Sequence, residues 1–320
     1  EAVALSKQGL DVMRTYAGEE HPDTLIAASN LAVLLQDEGK YQESAEVASH
    51  ALKIQRRLLG DEHPDVLCSI NNLAAALHMQ GKQMEAIRFQ QETLEVRRRT
   101  LGVANVETLV TAHNLANMLQ QKGCYEEAGS LQRETLEVLT STMGPRHPDT
   151  MTLKSSLAST LEQQGFLQQA ERLAREAFAD EEEVLGRQHP RSLCTAHNLC
   201  NILREQGHYR QAAVLLRETV TSLSEVCGPE HPRTLVSVCS LGNLYLKMGR
   251  FKDSLKLVVP AVQMQEQVLG STHPHVSRSY SILAAGLRDL ARCDTVATPL
   301  TSVVAAIGSI ATLVVSKTPA

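Results

Sequence analysis

Six histidines, His21, His63, His147, His189, His231 and His273, recur at multiples of 42 residues, each three places after a Gly and directly before a Pro. Imidazole is a common zinc ligand, so a metal site is the first chemistry to weigh. Ligands must all lie ~2 Å from one ion, whereas equivalent residues of stacked helical units stand at least ~8–10 Å apart. The histidines are therefore expected to build turns. Asn105-Val106 occupies the missing seventh slot without breaking the register, which supports the same reading. Cys194 and His197 are helical neighbours three residues apart, and their types are those of a Cys–His nucleophile. No third group orients them, so they read as a small buried residue beside a groove residue. The chain has no Gly-x-Ser-x-Gly, P-loop, H-E-x-x-H or G-x-G-x-x-G motif. No catalytic residue, metal or cofactor is expected.

The elements that carry these residues follow from the same period. Take residues 21–62. Pro22 suits a first helical turn, where its missing N–H is no loss, and Asp23 complements the helix dipole. Leu25, Ala28, Leu31, Ala32 and Leu35 then form an apolar helical stripe. Gly39 stops that helix in a left-handed conformation. Tyr41 opens a second, with Ala45, Ala48, Leu52 and Leu59 on one face, and Gly60 ends it. Each unit is two helices and a short turn, and a pair alone cannot bury its stripe, so neighbours must stack.

This arrangement implies second-helix character for residues 1–18, six complete 42-residue pairs over 19–272, and the first helix of a degenerate seventh over 273–293. Ala291 replaces the glycine expected there. Residues 294–320 form an apolar tail, uncharged from Thr295 to Ser316. It reads as a degenerate helix or the end of a fragment. Pro299 and Gly308 dilute a stretch that barely reaches the ~20 residues a membrane span needs.

Recurrent internal residues carry a family resemblance. Asn-Leu-Ala recurs at 30–32, 72–74 and 114–116, and Asn-Leu-Cys stands at 198–200. Gly, one residue, then an aromatic recurs at 39–41, 123–125, 207–209 and 249–251. Small residues Ala86, Ala128, Ala170 and Ala212 mark close helix crossings. The chain resembles tetratricopeptide repeat proteins, and its long unit with Leu-Gly-x-x-His-Pro resembles kinesin light chains and nephrocystin-3-like proteins. The resemblance implies an all-α, right-handed α-solenoid of stacked antiparallel helix pairs.

It also implies that the first helices line a concave groove. The residues placed there are Asn71, Asn72, His113, Asn114, Asn117, His197, Asn198, Asn201 and Asn243, with Gln36, His78, Gln120, Glu162, Arg204 and Lys247 one step further along. Asn offers donors and acceptors together, so a ladder of them suits the backbone of an extended peptide. The competing reading is that these residues bridge helices. Kinesin light chains take peptides with an aromatic residue flanked by acids; Arg204, Lys247 and the imidazoles favour acidic ligands, while Glu162, Glu205 and Asp37 dilute that field. The expected function is an interaction scaffold or adaptor that binds peptide segments of partner proteins, most concretely a kinesin-light-chain-like cargo adaptor. The alternatives are the repeat arm of a larger nephrocystin-3-like scaffold, or of a signalling NTPase whose catalytic domain lies elsewhere.

The bulk composition agrees. The chain is 43% apolar and only 3% aromatic, with a net charge of −5 and both signs interspersed. That excludes the basic stripe a nucleic-acid binder needs. Seven scattered cysteines form no C-x-x-C pair, as in reduced, cytoplasmic proteins, with cytoskeletal or ciliary association as a further expectation. The start at Glu1, in mid-pattern, reads as a piece of a longer protein. Membrane contact is expected only if the 295–316 tail provides it.

Overall fold

The computed structural model describes residues 2–271 and 273–294. The apolar tail from 295 onward lies outside the described residues. Among those described there are fourteen helices and no strand, grouped into two compact units divided between Leu173 and Ala174. The first contains α1 (Ala2–Tyr16), α2 (Pro22–Asp37), α3 (Tyr41–Leu59), α4 (Pro64–Met79), α5 (Gln83–Thr100), α6 (Val106–Lys122), α7 (Tyr125–Thr142) and α8 (Pro148–Gln163). The boundary falls inside α9 (Leu167–Leu185). The second unit continues with α10 (Pro190–Glu205), α11 (Tyr209–Cys227), α12 (Pro232–Lys247), α13 (Phe251–Leu269) and α14 (Pro274–Asp294).

Within each unit consecutive helices pack on one another, and first helices also touch the next first helix, as α2 does α4 and α12 does α14. The fold class is thus all-α, with helix pairs stacked in series. Leu31, Leu35 and Leu67 in the first unit and Leu199, Leu203 and Leu244 in the second are fully buried first-helix residues. Ala86, Ala128, Ala170 and Ala212 are completely buried, as close crossings require.

The recurrent histidines have a defined job. Each precedes a first helix with extended dihedrals (His63, φ −66°, ψ 138°) and caps it. The backbone N–H of Asp23 donates to His21 Nδ1 at 3.2 Å, and that of Asp65 to His63 Nδ1 at 3.2 Å. The bond recurs at His147 (3.3 Å) and at His189, His231 and His273 (3.2 Å each). Pro at the first helical position removes one N–H that would otherwise need a partner. Asn105 is no gap in this series: its Oδ1 accepts from the Glu107 N–H at 2.9 Å. Nδ1 of His and Oδ1 of Asn are the same number of bonds from Cα, so either fills one geometric role. Replacing His63 by Asn is therefore expected to leave the melting temperature nearly unchanged. Replacement by Ala costs about 1 kcal/mol. Equal losses for both in urea titrations would refute the capping role.

Glycine ends the first helices. At Gly39, φ is +75°, a region L-residues with side chains avoid. The Lys40 N–H donates to Leu35 O at 2.8 Å and the Gly39 N–H to Gln36 O at 2.9 Å, the paired bonds of a Schellman motif. Where Ala291 stands in place of glycine, α14 runs on to Asp294.

Candidate functional site

The first helices bring the polar ladder together, and much of it bonds internally. Asn71 Oδ1, on α4, accepts from Gln90 Nε2 at 2.6 Å and from Asn114 Nδ2 on α6 at 3.4 Å. Gln36 Nε2 donates to the Asn72 carbonyl at 3.1 Å, and Gln120 Nε2 to Ser159 Oγ at 3.2 Å. His78 Nε2 lies 2.6 Å from Gln121 Oε1, and Asn117 Nδ2 3.0 Å from His113 Nε2. In the second unit Arg204 Nη1 donates to Asn201 Oδ1 at 3.2 Å, and its Nη2 pairs with Glu205 at 2.8 Å. Asn198 and Asn243 are half-buried and Lys247 is exposed. Bridging between successive first helices is thus one function these amides perform.

Two cavities that the residue-by-residue reading did not anticipate lie beside this ladder. In the first unit a cavity of about 130 Å³ opens between α6 and α8, floored by the end of α7. In the second, one of about 250 Å³ opens between α10 and α12, floored by the end of α11. Their walls correspond at a spacing of 84 residues, two repeats: Val110 matches Cys194, His113 matches His197, Leu139 matches Leu223, Met143 matches Cys227 and Asp149 matches Arg233.

A second-helix residue lies near the floor of each. The positions 42 residues apart are Gln55, Arg97, Leu139, Glu181, Leu223 and Gln265, and all six are buried. Arg97 fills its own site. Its Nη1 donates to Thr111 Oγ1 at 2.6 Å and to the Glu107 carbonyl at 3.0 Å, while Nη2 pairs with the Glu107 carboxylate at 2.7 Å. Glu181 instead accepts a hydrogen bond from Thr195, although burial raises its carboxyl above the usual range. Leu139 and Leu223 are shorter and make no such reach, so space remains.

Electrostatics separates the two cavities. Burial pushes the His113 imidazole below its ordinary range, against the opposing pull of Asp149. Burial does the same to His197, and Arg204 and Arg278 push it further. The second position of the first helices is Asp23, Asp65, Glu107 and Asp149 in the first unit, but Arg191 and Arg233 in the second. An acid there is favoured by the helix dipole, whereas a cation there costs roughly 0.3–1 kcal/mol. Arg233 thus violates a local rule beside an open cavity, the kind of conflict that marks functional positions.

The thiol chemistry offers nothing comparable. Burial drives the Cys200 thiol up to about 12, far from a thiolate nucleophile. Cys194 and Cys227 only line the cavity wall. Among the described residues no cluster of three or more His, Cys, Asp or Glu is arranged to hold a metal ion, and no helix is long and apolar enough to cross a membrane.

A family model described as tetratricopeptide repeat matches residues 23–99, 107–180, 150–225 and 192–258. No curated protein matches the chain. Among solved structures, one described as a kinesin light chain of nearly identical TPR-like repeats from Podosopora anserina is 27% identical, with a TM-score of 0.58; the match covers 64% of this chain and 97% of that one. BtubC (BKLC) from P. vanneervenii is similar in fold at 18% identity and a TM-score of 0.60, over 72% of this chain and 92% of that one. A signal transduction ATPase with numerous domains and a tetratricopeptide repeat sensor, from Pyrococcus horikoshii, is similar in fold at 12% identity and a TM-score of 0.63. That match covers 82% of this chain and 38% of that protein.

Proposed function

The chain belongs to the tetratricopeptide repeat family, and we propose that it is a non-catalytic scaffold whose first helices bind short segments of partner proteins. The most concrete form is a cargo adaptor like the kinesin light chains, working in the cytoplasm on the cytoskeleton or at cilia. The observation that carries the reading is the second unit's cavity, apolar inside and bordered by Arg233. The helices around it, α10, α12 and α14, hold seven arginines and lysines against three acids. Two of the carboxylates expected to dilute that field, Asp37 and Glu162, belong to the first unit, and the third, Glu205, already pairs with Arg204. An acidic segment presenting one large apolar side chain fits this surface: the side chain enters the cavity while Arg233 and Lys247 meet the acids. Affinity then comes from several modest contacts, of which a few dominate.

Fluorescence anisotropy with a labelled peptide of glutamates flanking a single tryptophan tests this. Arg233→Glu is expected to weaken binding about tenfold, equivalent to 1.4 kcal/mol, and Cys194→Trp, which fills the cavity, at least as much. Binding indifferent to both changes would end the proposal.

A second reading, the sensing arm of a larger signalling NTPase, is supported by the fold likeness to a sensor region that is only part of a longer ATPase. A nephrocystin-3-like scaffold arm is the remaining form. A heptad coiled coil in flanking sequence favours the motor adaptor, and a P-loop there favours the NTPase.

A further inference from the structure

The first unit presents the same kind of cavity with the opposite charge at its rim. We infer that this cavity is a separate subsite for a basic segment: it takes the aliphatic stem of a lysine or arginine side chain from a partner polypeptide, with the cationic head beside Asp149. The inference rests on the first helices being a peptide-binding face, but on a different unit and a different ligand from the site proposed above.

Three observations support it. The cavity of about 130 Å³ is walled by Val106, Val110, Leu139 and Leu153; among its lining residues Asp149 is the one carboxylate, and none is Lys or Arg. Long cationic side chains bury their methylenes and keep the head in water, and an apolar pocket with a carboxylate at its mouth matches both ends.

The carboxylate is also available. Its near neighbour His147 Nδ1, at 3.7 Å, already accepts the Asp149 N–H and so has no proton to offer it. Across the cavity, burial favours the neutral form of His113 over the cation that would neutralise Asp149.

The first helices that wall it, α6 and α8, hold three acids against two lysines. The helix dipole accounts for an acid at the second position of each helix. It does not account for an open cavity beside one. At the equivalent place around Glu107 the space is filled by Arg97 from the chain's own α5, with its head on the Glu107 carboxylate. The molecule thus contains an internal example of the contact: a long cationic side chain, rising from the floor, lies in this slot and pairs with the acid at its rim.

The test uses the whole chain and two labelled peptides of equal length, one alternating lysine and alanine, the other glutamate and alanine. Asp149→Asn and Val110→Trp are each expected to weaken the lysine peptide at least fivefold and leave the glutamate peptide unchanged. Arg233→Glu is expected to spare the lysine peptide, which separates this subsite from the acidic-ligand site. Val110→Lys, which supplies an occupant from within, is expected to block the lysine peptide as well, and it serves if the tryptophan variant unfolds. Lysine-peptide binding that survives both Asp149→Asn and the filled cavity would be diffuse attraction to a net-negative protein, and would overturn the inference. So would absence of binding to the unaltered chain.

Discussion

Pro260→Ala stabilises the second unit by about 3 kcal/mol. Pro260 is exposed in the middle of α13. It has no N–H to donate to the carbonyl four residues earlier, and its ring crowds that carbonyl, a defect of roughly 3 kcal/mol in a helix interior. The helix persists because its other face is held. Leu255, Val258 and Val262 are buried in a cluster with Leu283 and Leu290 of α14. The equivalent positions of the other second helices are His50, Glu92, Glu134, Glu176 and Glu218, so a helix former fits the site. Urea titration followed by circular dichroism measures the gain. Because stacked repeats do not always unfold in one step, an α13 or α14 probe is the appropriate readout. No gain would mean that α13 bends to relieve the ring, so that the defect has already been absorbed.

Glu107→Ala lowers stability by about 2 kcal/mol, while Arg97→Leu is close to neutral. The asymmetry follows from burial. The Arg97 side chain is 4% exposed and that of Glu107 56%. Removing the acid strands a buried guanidinium, and breaking a buried pair typically costs 3–5 kcal/mol; the exposed position of Glu107 and the retained bonds to Thr111 and the Glu107 carbonyl reduce that. Removing the arginine leaves a carboxylate that water can solvate, and replacing a buried ion pair by an apolar side chain is often neutral or favourable. Leu at this position is what the chain itself uses at 139 and 223. Arg97→Leu should therefore also open a cavity in its own slot, detectable as an additional site for an apolar probe. Equal losses for the two variants would show that the pair is a net stabiliser and that Arg97 is not simply a plug.

The repeat, its helix pairs and their ends were legible in the sequence because each is specified by neighbours in the chain. A His or Asn at the cap, Pro at the first turn and Gly at the stop act over four or five residues, and an unbroken period of 42 fixes which residues are equivalent. The polar ladder was legible as a list but not as a network. Asn71 reads like its neighbours, yet only the packing of α4 against α5 and α6 gives its oxygen two donors. The cavities were not legible at all. Leu139 and Leu223 look like ordinary core residues. Whether a side chain there leaves space depends on the distance to the next first helix and on its reach, as the longer Arg97 shows by filling its slot. The sequence thus determined the modules and where each begins and stops, since those are short-range matters of capping and backbone conformation. The tertiary structure decided which modules stay open and what sign of charge borders them, because volume and field are summed over side chains that meet only when the helices stack.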